Sequence, residues 1–213
     1  KDIASRAAAL GAERFVLDDG WFGDRDDDTR ALSDWEVDPR KYPDGLTPLI
    51  DHVHGLAMSF GIWFEPEMIN PDSNVFRAHP DWALGSEDQI LGRGQMALDM
   101  SNADVRDFLF DRIGAVLSQN EIDYSKWDHN RVLPMPDAAQ TRGSYRLIDR
   151  LREAFPLVEI ESCASGGGRI DFGILSRTQR VWLSDSNDAL ERLKIQHNAA
   201  IFLPAAVTGS HVG

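Results

Sequence analysis

Six short apolar runs, separated by segments with helical spacing, constrain this 213-residue chain more than any other feature. They are residues 14–17 before Asp18-Asp19-Gly20-Trp21, 61–64 before Glu65-Pro66-Glu67, and 122–127 before Asp128. The other three are 157–160 before Glu161-Ser162-Cys163, 181–184 before Asp185, and 201–204 leading to Thr208-Gly209-Ser210-His211. Between them, segments 2–10, 48–60, 104–120, 141–154 and 188–200 have helical character. In 48–60, Leu49, Ile50, Val53, Leu56 and Ala57 recur at steps of three and four, and Val105, Phe108, Leu109, Ile113, Val116 and Leu117 do so in 104–120. Strands alternating with helices predict parallel βαβ units. Every run ends in chemically rich residues, which matches the active-site face of a (β/α)₈ TIM barrel. A doubly wound open sheet places its ligand at one switch point instead. Six strands cannot close an eight-stranded barrel, the chain opens in a helix, and it stops on a loop. The expectation is an incomplete TIM barrel, about strands 2 to 7, filling residues 1–213.

Charge narrows the partners. The net charge of −13 excludes a basic footprint for nucleic acid and disfavours an anionic membrane, whereas a neutral sugar fits. No run of eighteen apolar residues is present to span a membrane, and residues 1–6 lack the apolar core of a signal peptide. The single cysteine, Cys163, forms no disulfide within the chain, and a cytoplasmic location is expected. The run Asp24-Arg25-Asp26-Asp27-Asp28 fails the calcium-loop pattern, with Thr29 where Gly is needed and Trp35 where Glu is needed, and reads as a solvated loop. His52-Val53-His54 lies in a helix whose apolar face takes Val53, so its histidines point elsewhere. No metal and no cofactor is expected.

Acidic strand ends carry the chemistry. Asp18 and Asp19 offer paired acceptors for sugar hydroxyls, with Trp21 as a flat apolar face for the ring; turn formation by Asp-Gly is the competing reading. Lys126 and Asp128 are two apart on a strand and share a face, so the ammonium is expected to hold the carboxylate ionised, as a nucleophile requires. An ordinary strand-end ion pair is the alternative. The glycines of Ser165-Gly166-Gly167-Gly168 allow main-chain N–H groups close to a ligand. Asp185, beside Trp182, is expected in apolar surroundings that raise its pKa toward that of a general acid. Asp128 and Asp185 make the two-carboxylate set of glycoside hydrolysis. Trp21, Trp63, Trp127 and Trp182 all stand at strand ends, a clustering that favours a carbohydrate site.

Five motifs in order resemble the catalytic domain of glycoside hydrolase family 36, the bacterial α-galactosidases. They are Asp18-Asp19-Gly20-Trp21-Phe22-Gly23, Ile62-Trp63-Phe64-Glu65-Pro66-Glu67, Lys126-Trp127-Asp128-His129-Asn130-Arg131, Glu161-Ser162-Cys163-Ala164-Ser165-Gly166-Gly167-Gly168-Arg169 and Trp182-Leu183-Ser184-Asp185. The resemblance runs from about residue 10 to the end and implies a retaining α-galactosidase, with Asp128 as nucleophile and Asp185 as acid/base. It implies that Asp18 and Asp19 hold the 4- and 6-hydroxyls, that Trp63, Arg93, Lys126, Asn130 and Trp182 contact the sugar, and that Cys163, Gly166 and Gly167 surround the 2-hydroxyl. Leu183 departs from the family's usual Thr. The family pattern further implies an N-terminal β-sandwich, a C-terminal β domain and a homo-oligomer, often a tetramer. N-acetylgalactosaminidase activity, raffinose-synthase-like transfer, a non-catalytic sugar-binding barrel and a metal-dependent barrel hydrolase stand as rival readings.

Overall fold

The computed structural model describes residues 1–135 and 137–211. Its elements run α1 (Asp2–Ala9), β1 (Arg14–Leu17), α2 (Thr47–His54), β2 (Ser59–Phe64), β3 (Met68–Ile69), α3 (Asn74–Ala78), β4 (Met96–Ala97), α4 (Ala103–Gln119), β5 (Tyr124–Trp127), α5 (Ala138–Ala154), β6 (Glu159–Ser162), α6 (Phe172–Leu175), β7 (Arg180–Trp182), α7 (Ala189–Ala199) and β8 (Thr208–Gly209). Among the described residues, β1-β2-β5-β6-β7-β8 form one all-parallel sheet with helices in the crossovers, the architecture of an incomplete α/β barrel.

Five strands fall where the apolar runs predict them, displaced by a residue or two. The sixth does not. Residues 201–203 close α7: the amides of Phe202 and Leu203 both donate to the Ala199 carbonyl, and Ile201 and Phe202 are exposed. The strand that pairs with β7 is Thr208–Gly209, further along. The small antiparallel pair β3-β4, two residues per strand, was not anticipated.

Register decides which residues meet at the C-terminal edge. Phe64, Trp127, Ser162 and Val181 pair in one row across β2, β5, β6 and β7. One residue further lie Glu65, Asp128, Cys163 and Trp182. Main-chain bonds continue the ladder there, from Asp128 N to Phe64 O and from Cys163 N to Trp127 O, both 2.8 Å.

Helices α4 and α5 back this edge. The Asn102 side chain caps α4 by accepting from Asp104 N, and Val105, Leu109 and Ile113 bury its inner face. Asp137 caps α5 through Gln140 N. The Gln140 amide then bridges to the segment before α4, accepting from Met100 N and donating to Leu98 O at 2.8 Å each. That approach is so close that a Cβ on Gly143 would overlap the Met100 carbonyl. Gly143→Ala is therefore expected to destabilise the full-length protein by a net of about 2 kcal/mol in denaturant unfolding. This is about 3 kcal/mol of overpacking less about 1 kcal/mol of helix propensity.

Candidate active site

Asp128 sits at the end of β5, 6% exposed. Its Oδ2 accepts from the Trp63 indole (3.1 Å) and the Asn130 amide (2.8 Å), and its Oδ1 from the His129 main-chain N–H (2.8 Å). Burial pushes its pKa up, but these donors, with the Cys163 thiol, outweigh burial and hold the carboxyl below its ordinary value. The group is an oriented, buried anion.

Lys126 shares the Asp128 face and its charge supports that carboxylate, but its direct ion-pair partner, which the sequence did not show, is Asp18. Its ammonium pairs with Asp18 at 3.0 Å, and the donors just named keep Asp128 ionised. Burial works against the Lys126 charge; Asp18 and then Asp128 overcome it and raise the pKa. Asp19 is gripped by one edge of the Arg25 guanidinium, Nε donating to Oδ1 at 2.9 Å and Nη2 to Oδ2 at 2.7 Å. Arg25 is 3% exposed and also donates to Arg30 O and to the Asn70 side chain, so the acidic run is not simply a solvated loop. Its one cation is turned inward to hold a site carboxylate.

The tryptophans divide. Trp21 and Trp127 are 0% and 1% exposed, so neither offers a face to a ring. The Trp21 indole donates to Trp63 O and stacks on Trp35; the Trp127 indole donates to Glu67. Trp63, also buried, touches the site through its indole N–H alone. The half-buried Trp182 donates to Asp185 Oδ1 at 2.9 Å. Asp185 itself is exposed, which overturns the expectation of apolar surroundings.

The glycines also have a packing reason. A Cβ on Gly166 (φ 83°) would lie 2.7 Å from Ser184 Cα and 3.0 Å from Asp185 N, and one on Gly167 would lie 2.6 Å from Leu183 O. Their freedom lets the loop after β6 press against the segment that carries Asp185. Arg192 of α7 supports that segment from its other end through Ser184 O, at 2.8 Å.

Cys163 is buried beside Asp128, to which its thiol is hydrogen-bonded. Burial and then the charge of Asp128 push its thiol pKa up, with Asp185 adding to the effect, so the group stays a neutral thiol. One amide hydrogen of Asn130 is committed to Asp128 and its oxygen faces Ser165 Oγ at 3.3 Å, which makes it a holder of the carboxylate. Arg93 is exposed in the Gly92–Gln95 turn with φ 53°.

Sequence reasoning missed two buried acids. Glu67 accepts from Arg169 (2.6 Å), Ser144 (2.6 Å) and Trp127 (3.1 Å); burial raises its pKa, but Arg169 and the other partners bring it down to about 2. Glu65 lies one strand over from Asp128 and, among the described residues, pairs with no cation. The Glu-Pro-Glu spacing was visible, but nothing in it told a paired carboxylate from an unpaired one. His52 and His54 turn to Ser5 and Asp123 while Val53 is buried, as expected.

Comparison with known proteins adds an independent finding. A family profile described as melibiase matches residues 1–213. An alpha-galactosidase of Escherichia coli is 54% identical over 220 residues, covering 99% of this chain and 31% of that protein. The solved galactosidase domain of the alpha-galactosidase–sucrose kinase AgaSK superposes with a TM-score of 0.93 at 44% identity, over 99% of this chain and 30% of that one. A variant of the family 36 alpha-galactosidase AgaA from Geobacillus stearothermophilus, in complex with raffinose, gives 0.91 at 42% identity, over 99% and 32%. The chain thus spans about a third of the length of the curated relatives it matches.

Proposed function

The chain belongs to the melibiase family, and from that premise we propose that the whole protein is a retaining α-galactosidase acting on terminal α-linked galactose of oligosaccharides. In this reading the sheet supplies strands 2 to 7 of an eight-stranded barrel. The protein is a cytoplasmic homotetramer with flanking β domains.

The chemistry is a double displacement. The Asp185 carboxyl gives its proton to the glycosidic oxygen, and the aglycone leaves as an alcohol. A carboxylate oxygen of Asp128 forms a bond to the anomeric carbon as that C–O bond breaks. Asp185, now a carboxylate, takes a proton from water, whose oxygen attacks the same carbon and releases Asp128. Two inversions retain configuration. Asp18, Asp19 and Lys126 bind ring hydroxyls, Cys163 and the Gly166-Gly167 turn bound the 2-hydroxyl, Trp63, Arg93 and Trp182 complete the set, and Asn130 serves the site by holding Asp128.

The observation that carries the reading is the placement of Asp128. It is a buried carboxylate kept anionic by three fixed donors, level with Cys163, whose thiol feels the charge of both Asp128 and Asp185. The small, buried Cys163 supports a 2-hydroxyl over an acetamido group. The test uses the full-length protein with p-nitrophenyl α-galactoside and its α-N-acetylgalactosaminide counterpart, following the first-formed sugar by NMR. Release of α-galactose first, with little turnover of the acetamido substrate, supports the proposal. First appearance of the β-anomer, or preference for the acetamido sugar, contradicts it.

A further inference from the structure

Two buried acids flank Pro66, and only one is neutralised. Glu67 is 2% exposed and paired with Arg169; Glu65 is 1% exposed and accepts from neutral donors. These are the Asn130 main-chain N–H at 2.6 Å and the Gln95 side-chain amide at 2.9 Å. A buried carboxyl without a cation is costly to keep, and glutamine would occupy the same volume without the charge. Stability alone does not explain it.

Geometry gives the reason. Glu65 lies two residues beyond Trp63, and both approach Asp128 from the end of β2. Trp63 donates directly to Asp128 Oδ2, while Glu65 fixes the main chain of Asn130, whose side-chain amide donates to the same oxygen at 2.8 Å. We propose that Glu65 is a positioning residue for Asp128, acting through Asn130 to hold the carboxylate in its attacking orientation. The proposal rests on the reading of Asp128 as the nucleophile.

Ionisation is consistent with this coupling. Burial first, and then the charge of Asp128, raise the Glu65 pKa to about 7. The ionisable group facing it is Asp128, from the end of β5. Asn130 and Gln95, from the loop after β5 and the turn before β4, are neutral, and Glu67 is turned to Arg169.

The test compares Glu65→Gln, Asn130→Ala and the double variant in the full-length protein with p-nitrophenyl α-galactoside. Misplacing a reacting group by about 1 Å costs roughly 10²-fold in rate. Asn130→Ala is expected to lose about that much in kcat and Glu65→Gln about 10-fold, each with KM within about threefold of the parent. The double variant should be no slower than Asn130→Ala alone, the mark of two residues acting in series. A titration near pH 7 in the parent's kcat/KM profile should move or vanish in Glu65→Gln. Losses that multiply in the double variant, or an unshifted profile, overturn the proposal. Unchanged binding of a galactose-shaped inhibitor confirms that each variant is folded. If Asp128→Gly with azide gives no glycosyl azide, the nucleophile assignment has failed and this proposal falls with it. If azide rescue succeeds and the Glu65 losses multiply, only the positioning role is lost.

Discussion

Asp128→Gly in the full-length protein is expected to lose roughly 10⁴-fold or more in kcat, the scale seen when a covalent nucleophile is removed. Nothing else on the edge can replace it. The neighbouring thiol of Cys163 is held neutral chiefly by burial, which the substitution leaves in place. The Glu65 carboxyl points to Asn130 N and Gln95. Removing the side chain leaves a gap bordered by the Trp63 indole and the Asn130 amide, donors suited to a small anion. Azide should therefore enter, attack the anomeric carbon once, and yield the β-galactosyl azide. Partial recovery with inverted product identifies a nucleophile. A variant that keeps more than a hundredth of the parent rate, or that azide never revives, removes Asp128 from that role.

Gly166→Ala should damage stability and catalysis together. The residue has φ 83°, and an added methyl meets Ser184 Cα at 2.7 Å and the Asp185 amide at 3.0 Å. The left-handed backbone costs alanine about 1 kcal/mol and overpacking about 2 kcal/mol more, or about 3 kcal/mol in unfolding. The segment that gives way carries Asp185, the proposed acid/base. Turnover of an oligosaccharide, whose leaving group needs a proton, should fall by roughly 10²-fold. An aryl galactoside with a good leaving group should lose far less in its first step. Gly11→Ala is the control: φ is 86° there, but the methyl meets no atom within 4 Å, so only the backbone cost of about 1 kcal/mol is expected. Equal losses on both substrates would show that Gly166 serves stability and not the placement of Asp185.

Much of this was readable in the chain because buried parallel strands are written as apolar runs that end where solvent begins. That rule located β1, β2, β5, β6 and β7 and the acids beyond them. It failed at residues 201–203, where a stronger apolar run belongs to the end of α7 and the pairing strand is the weakly marked Thr208–Gly209. Strand-end position told which residues reach the mouth, but not which way they turn. Trp21, Trp63 and Trp127 are all buried, and their indoles go to Trp63 O, Asp128 and Glu67 respectively, a division the sequence did not show. Charge partners were the least legible. Lys126 lies beside Asp128 in sequence but pairs with Asp18 across more than a hundred residues, and Arg25 and Arg169 reach Asp19 and Glu67 only through tertiary packing. The packing role of the glycine loop, which makes room for the Asp185 segment, was not legible because it depends on a strand a crossover away in the fold.

The most direct test is to trap the covalent intermediate. The full-length protein is incubated with a fluorinated galactosyl donor that forms the ester quickly and hydrolyses slowly, then digested and mapped by mass spectrometry. One fluorogalactosyl group on the carboxyl of Asp128, lost on prolonged incubation as activity returns, is the expected result. A label on any other residue, or inactivation with none, would contradict it.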